Sequence, residues 1–123
     1  SGAGVELSKK ENYHIVLKET LKDLPPLFDY IFIDLPPSLG VITVNALVAA
    51  DSVLIPIQAE YYALEGLSQL IHTIELVRDR LNKRLKIEGV VFTDRIAPLR
   101  RQLLKSKLLN LAKGKYRCAY KTR

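Results

Sequence analysis

Two runs of consecutive apolar, β-branched and aromatic residues constrain this chain most: Tyr30-Ile31-Phe32-Ile33 and Val53-Leu54-Ile55-Pro56-Ile57. Neither alternates with polar residues, so each predicts a strand covered on both faces, as in a parallel sheet. A third such run, Ile87 to Thr93, follows a clear helical stretch. In that stretch, Leu64 to Leu81, the residues Leu64, Leu67, Leu70, Ile71, Ile74, Val77 and Leu81 share one helix face. Leu76 falls outside this face, and Arg78 falls inside it with a stem long enough to snorkel. Val41 to Ala50 reads as a short, mostly apolar helix. Tyr13, Leu17, Leu21 and Leu24 line one face of an earlier helix that Pro25-Pro26 stops, and Ala3 to Lys10 is weakly helical. Strand, helix, strand, helix, strand predicts an α/β fold: a parallel β-sheet flanked by helices, with right-handed crossovers.

The charge is unevenly spread. Residues 1–94 hold nine Lys/Arg against thirteen Asp/Glu, a balance of −4, whereas residues 95–123 hold ten basic residues and no acid, a balance of +10. The basic pI therefore says nothing about the body, and any nucleic-acid or anionic-surface reading rests on the tail. One cysteine, Cys118, excludes an internal disulfide framework. No apolar run approaches membrane-spanning length and the first residues lack secretory-signal character, so a cytosolic chain is expected.

Chemistry concentrates after the first apolar run. Asp34 ends it, and ligands of open parallel sheets bind at the carboxyl ends of strands. In nucleoside triphosphatases a carboxylate at such a point holds Mg²⁺ beside the β- and γ-phosphates; a residue that only caps a turn gives the same local pattern. Leu35-Pro36-Pro37-Ser38-Leu39-Gly40 follows with the chemistry of a switch loop. The prolines limit its conformations, Gly40 permits close approach of a ligand, and Ser38 is placed to donate to a phosphate or to cap the next helix. His14 and His72 have no partner at triad or ligand spacing and read as exposed surface residues.

The stretch Phe28-Asp29-Tyr30-Ile31-Phe32-Ile33-Asp34-Leu35-Pro36-Pro37-Ser38-Leu39-Gly40 resembles the "YDYIIIDxPPSLG" motif of ParA/Soj-type partition ATPases, members of the ParA/MinD superfamily. Thr43-x-Asn45-Ala46-Leu47, Ala50 to Leu67 and Ile87 to Thr93 are similar to the same family, and Ser1 to Leu7 matches more loosely. The resemblance implies a partial P-loop NTPase fold of the deviant-Walker type. It implies a cytoplasmic, nucleoid-associated protein that uses ATP and Mg²⁺, forms a homodimer, binds DNA non-specifically and works with a centromere-binding ParB-type protein, with no membrane partner. Carried over by position, Asp34 is the catalytic, metal-side carboxylate. Pro37, Ser38 and Gly40 sense the γ-phosphate, and Gln58 and Glu60 border the nucleotide and the dimer interface. For Gln58 and Glu60, capping of the next helix is an equal reading.

Two departures qualify this. No segment fits G-x-x-x-x-G-K-[ST] or the family's lysine-rich variant, so the chain reads as a fragment lacking the P-loop, inactive as an ATPase by itself. In the family that loop follows a strand lying between the strand ending at Asp34 and the strand ending at Ile57. Its absence predicts unpaired strand edges, and hence marginal stability or association through the sheet. The resemblance also stops after Thr93, which divides the chain into a partial ATPase domain, 1–93, and a basic tail, 94–123. The tail reads as a phosphate-binding arm, a surface helix or a shifted reading frame. Its leucines spread around the helical wheel, which ranks the surface helix last, and the abrupt loss of resemblance fits the shifted frame best. The rival function is a non-enzymatic, basic nucleic-acid-binding adaptor on a degenerate ATPase scaffold.

Overall fold

The computed structural model describes residues 12–36, 38–58, 63–93, 102–103, 106 and 118–120, without the side chains of 63–64 and 118–120. The chain forms two compact units, Ser1–Asp51 with Thr73–Leu85, and Ser52–His72 with Lys86–Arg123. The expected helix over Ala3 to Lys10 lies outside the described residues.

In the first unit, a 3-10 turn, Tyr13–Ile15, leads into helix α1, Val16–Lys22. The helix stops as expected before Pro25-Pro26: Asp23 and Leu24 donate backbone N–H groups to Thr20 and Leu21, each at 3.2 Å, closing a turn. No residue of the 3-10 turn or of α1 is fully buried. Helix α2, Val41–Ala49, differs: Thr43, Asn45, Ala46, Leu47 and Val48 are all buried, so it is enclosed on most sides. It packs against α1 and the 3-10 turn. Two asparagines secure it. Asn45 Nδ2 donates to Tyr13 O at 2.7 Å and Val41 O at 3.2 Å, while its Oδ1 accepts from the Leu17 N–H at 3.2 Å. Asn82 Nδ2 donates to Leu47 O, Val48 O and Ala50 O at 3.0, 3.2 and 2.8 Å. It thereby satisfies carbonyls at the C-terminal end of α2 that the helix itself leaves open.

The segment between α1 and α2 corrects the first strand expected from sequence. Residues 28–36 carry no strand and have no ladder partner among the described residues. Nor is the segment covered on both faces: Phe28, Tyr30 and Phe32 are 64%, 81% and 91% exposed, and Ile31 is 52% exposed. Ile33 and Leu35 are half-buried. An apolar run predicts burial of side chains, but a strand also needs a neighbour for its backbone, and none is described here.

The second unit holds the sheet. Strands β1, Ser52–Ile57, β2, Lys86–Phe92, and β3, Cys118–Tyr120, are all parallel in the order β1-β2-β3. The β1–β2 register runs Val53↔Ile87 and then Leu54↔Gly89, so Glu88 is the extra residue of a bulge. Ile55, Ile57, Val90 and Phe92 are buried. Thr93 donates its N–H to Ile57 O at 3.0 Å. Ile57 therefore turns its hydrogen-bonding groups toward β2, and its neighbour Pro56 turns toward the open edge, where it has no N–H to offer. Helix α3, Ala63–Arg80, joins β1 to β2. Leu67, Ile71, Ile74 and Val77 of its expected apolar face are buried, Leu70 and Arg78 are half-buried, and Leu76 is exposed. Leu81, placed on that face from sequence, is exposed because the helix ends one residue earlier. Strand β3 was not expected: three residues between lysines and arginines are too few for a periodic signal. The parallel sheet with helices agrees with the predicted α/β class.

Candidate functional site

Asp34 lies near the end of the segment between α1 and α2 and is exposed. It borders a pocket of about 280 Å³ walled by Val16, Leu17, Ile33, Leu35, Ile42 and Ala46, with Thr20 and Asn45 as its other polar residues. The Asn45 amide is committed to Leu17, Tyr13 and Val41. This hollow is apolar and does not cradle phosphate. The Asp34 carboxylate has no hydrogen bond or ion pair among the described residues, so the turn-cap reading finds no support there.

The loop after Asp34 is closed on itself and tied to α2 through one side chain. Ser38 donates its N–H to Pro36 O at 2.8 Å, and its carbonyl accepts from Thr43 Oγ1. Helix α2 opens on Gly40 as N-cap, with the Val44 N–H bonded to Gly40 O at 3.2 Å and no side chain capping the first turn. The expectation that Ser38 caps this helix is therefore corrected: Gly40 holds that position, and Ser38 Oγ has no partner among the described residues. The uncapped N–H groups form the positive end of the helix dipole. Gly40 has φ −95° and ψ −167°, extended backbone open to any residue. A Cβ there would meet nothing within 4 Å, so nothing in the fold requires glycine.

Pro37 and Glu60 lie outside the described residues. Gln58 follows β1 in the second unit and is exposed. His72 is exposed as expected; His14 is half-buried, with its ring edge-on to Tyr13 at 5.7 Å between centroids. Among the described residues no group of three or more His, Cys, Asp and Glu could hold a metal ion, and no helix is long and apolar enough to cross a membrane. Mg²⁺ takes one or two carboxylates and fills its remaining positions with water and substrate phosphate. A single exposed, unpartnered carboxylate at Asp34 fits that share. The sequence reading missed the clamping roles of Asn45 and Asn82; an amide in an otherwise apolar helix was the available signal for Asn45.

A family model described as "AAA domain" matches residues 1–87. The chromosome partitioning protein ParA of Myxococcus xanthus is 59% identical over 93 residues, covering 76% of this chain and 33% of that protein. The sporulation initiation inhibitor protein Soj of Bacillus subtilis is 54% identical over 93 residues, 76% of this chain and 37% of its own length. ParA of Caulobacter vibrioides is 47% identical over 109 residues, 85% of this chain and 41% of that protein, a span longer than the stretch before the basic tail. The chain thus spans about a third of the length of the curated relatives it matches. Among solved structures, cobyrinic acid a,c-diamide synthase from Mycobacterium smegmatis has a TM-score of 0.77 at 36% identity, over 85% of this chain and 44% of that one. The same enzyme with bound ADP and magnesium gives 0.75 at 36% identity, over 91% and 45%. A plasmid partition protein from Borrelia burgdorferi gives 0.68 at 32% identity, over 91% and 45%. With the family model covering residues 1–87, most of the chain, the chain belongs to the AAA domain family, in a stretch that it shares with the ParA and Soj partition proteins.

Proposed function

We propose that this chain supplies the switch and interface part of the nucleotide site in an ATPase for chromosome or plasmid partitioning. The observation that carries the reading is one short segment of the first unit: the Asp34 carboxylate and the Ser38 hydroxyl, both without partners among the described residues, and the first turn of α2, without a side-chain cap, follow one another within it. A carboxylate suits a metal ion, and a hydroxyl with open N–H groups suits the phosphate that the ion accompanies. Asp34 holds Mg²⁺, directly or through water. Pro37, Ser38 and Gly40 meet the γ-phosphate, and Gln58 and Glu60 border the nucleotide and a nucleotide-dependent homodimer interface. The bound metal neutralises charge on the phosphates. The names of the partition relatives support the partitioning role; in this reading the whole protein is cytoplasmic and nucleoid-associated, binds DNA and works with a centromere-binding ParB-type partner, as the family resemblance implies.

Phosphoryl transfer relies on P-loop, lysine and metal acting together. The 123-residue chain is therefore expected to release no phosphate from ATP above background. Fusion to the upstream part of Myxococcus xanthus ParA, a partition relative 59% identical over 93 residues, is expected to produce Mg²⁺-dependent hydrolysis. Asp34-dependent turnover by the unfused chain, or a folded but inert fusion, contradicts the proposal.

DNA binding is expected from the basic tail, sequence-blind and steeply weakened by salt. Each phosphate contact contributes about −0.9 to the slope of log affinity against log salt concentration. Gln102, Leu103 and Ser106, the described residues between 94 and 117, are exposed. Removing residues 95–123 should abolish retention of DNA in a filter-binding titration. Unchanged affinity places the DNA surface on the body.

A further inference from the structure

Among the described residues two polar side chains are buried, Thr43 and Asn45, each 2% exposed, and both belong to α2. Two positions apart on a helix, they stand about 200° apart around its axis. Asn45 serves the side that meets Tyr13 and Leu17. Thr43 serves the other: its Oγ1 donates to the Ser38 carbonyl, in the loop before the helix. A buried hydroxyl without a partner is costly, and the common remedy near a helix is the carbonyl three or four residues back. Thr43 passes over Gly40 and Leu39 and reaches Ser38 instead. Valine has the same branched shape and suits an apolar helix equally well, so packing does not account for the hydroxyl.

Ser38 is thereby held at both backbone groups. Its N–H donates to Pro36 O at 2.8 Å, and its carbonyl accepts from Thr43. The residue is exposed, and its own hydroxyl has no partner among the described residues. Its backbone is committed while its side chain is spare, which is the arrangement of a residue held ready for a ligand.

We infer that Thr43 is a positioning residue: by holding the Ser38 carbonyl it fixes the loop backbone and so presents the Ser38 hydroxyl to a nucleotide phosphate. The phosphate rests on the function proposed above, whereas the tether stands on the fold alone. A hydroxyl on a loose loop must be ordered at each encounter with its ligand, and one fixed in advance is spared that entropy. Thr43 touches no substrate and acts only through Ser38.

The test has two arms. The first uses the 123-residue chain without nucleotide. Backbone order parameters of Ser38 and Leu39 from NMR relaxation should be about 0.85 in the unsubstituted chain, as for rigid backbone, and fall below about 0.6 in Thr43→Val. Thr43→Ser, which keeps the hydroxyl, should stay near the first value. Val44 to Ala49 should be the same in all three chains, which separates a loosened loop from a damaged helix. The second arm uses the hydrolysing fusion. Thr43→Val should lower turnover about three- to tenfold, the effect of one neutral hydrogen bond. Thr43→Ser should recover most of that loss. Added to Ser38→Ala, Thr43→Val should cost nothing further, because both act through one hydroxyl. A rigid Ser38 in Thr43→Val overturns the inference. So do loosening of α2 along with the loop, full turnover by the Thr43→Val fusion, and losses that add to those of Ser38→Ala. An inert unsubstituted fusion with the expected order parameters overturns the ATPase reading and supports the tether.

Discussion

Asp34→Ala, made in the hydrolysing fusion, is expected to lower ATP turnover by about 100-fold or more, the scale of removing one preorganised electrostatic group from a transition state. Stability should change by less than about 0.5 kcal/mol, as for surface substitutions that touch nothing. The structure gives this contrast its force. Asp34 is exposed and has no hydrogen bond or ion pair among the described residues, so the fold has little to lose with its carboxylate. Asp34→Asn, which keeps shape and removes charge, should lose nearly as much turnover as alanine. Phosphate release under saturating Mg²⁺ and ATP, with urea unfolding of the same samples, separates the outcomes. Normal turnover with a lowered urea midpoint would make Asp34 a turn residue and remove the carboxylate from the proposed site.

The second large effect is one of stability. Asn45→Ala is expected to cost about 2–4 kcal/mol, since unsatisfied buried polar groups cost about 1–3 kcal/mol each and a cavity adds to that. Asn45 is 2% exposed, and its amide holds the Leu17 N–H, Tyr13 O and Val41 O at once. The 3-10 turn and α1 bury no residue fully, so this amide is their principal polar tether to α2. Asn45→Asp should be at least as damaging. It retains an acceptor for Leu17 but sets a carboxylate against two carbonyl oxygens and desolvates a charge. Urea titration by circular dichroism gives the size, and amide exchange gives the place: Val16 to Lys22 should lose protection before Val41 to Ala49. A loss below about 0.5 kcal/mol would mean that these three bonds add nothing net over hydration.

Much of the fold was legible locally. The stripe from Leu67 to Val77 lies on one side of α3 because residues three and four apart share a helix face whatever they pack against. Strands β1 and β2 follow from continuous apolar runs bounded by turns. Pro25-Pro26 ends α1 through steric restriction of the preceding backbone. The place of Asp34 was legible in the same way, as the first charge after an apolar run and before a proline-rich turn. What the sequence could not settle was every feature that needs a distant partner. Tyr30 to Ile33 has the side chains of a buried strand, yet it carries no strand and Tyr30, Ile31 and Phe32 are exposed, because a strand is completed by a neighbour's backbone. Strand β3 exists by pairing Val90↔Cys118 through Phe92↔Tyr120, a relation invisible in three residues among lysines and arginines. The Asn45 and Asn82 amides reach carbonyls about 30 residues away in the chain. Side-chain pattern is inscribed locally, whereas hydrogen-bond valence is satisfied only in three dimensions.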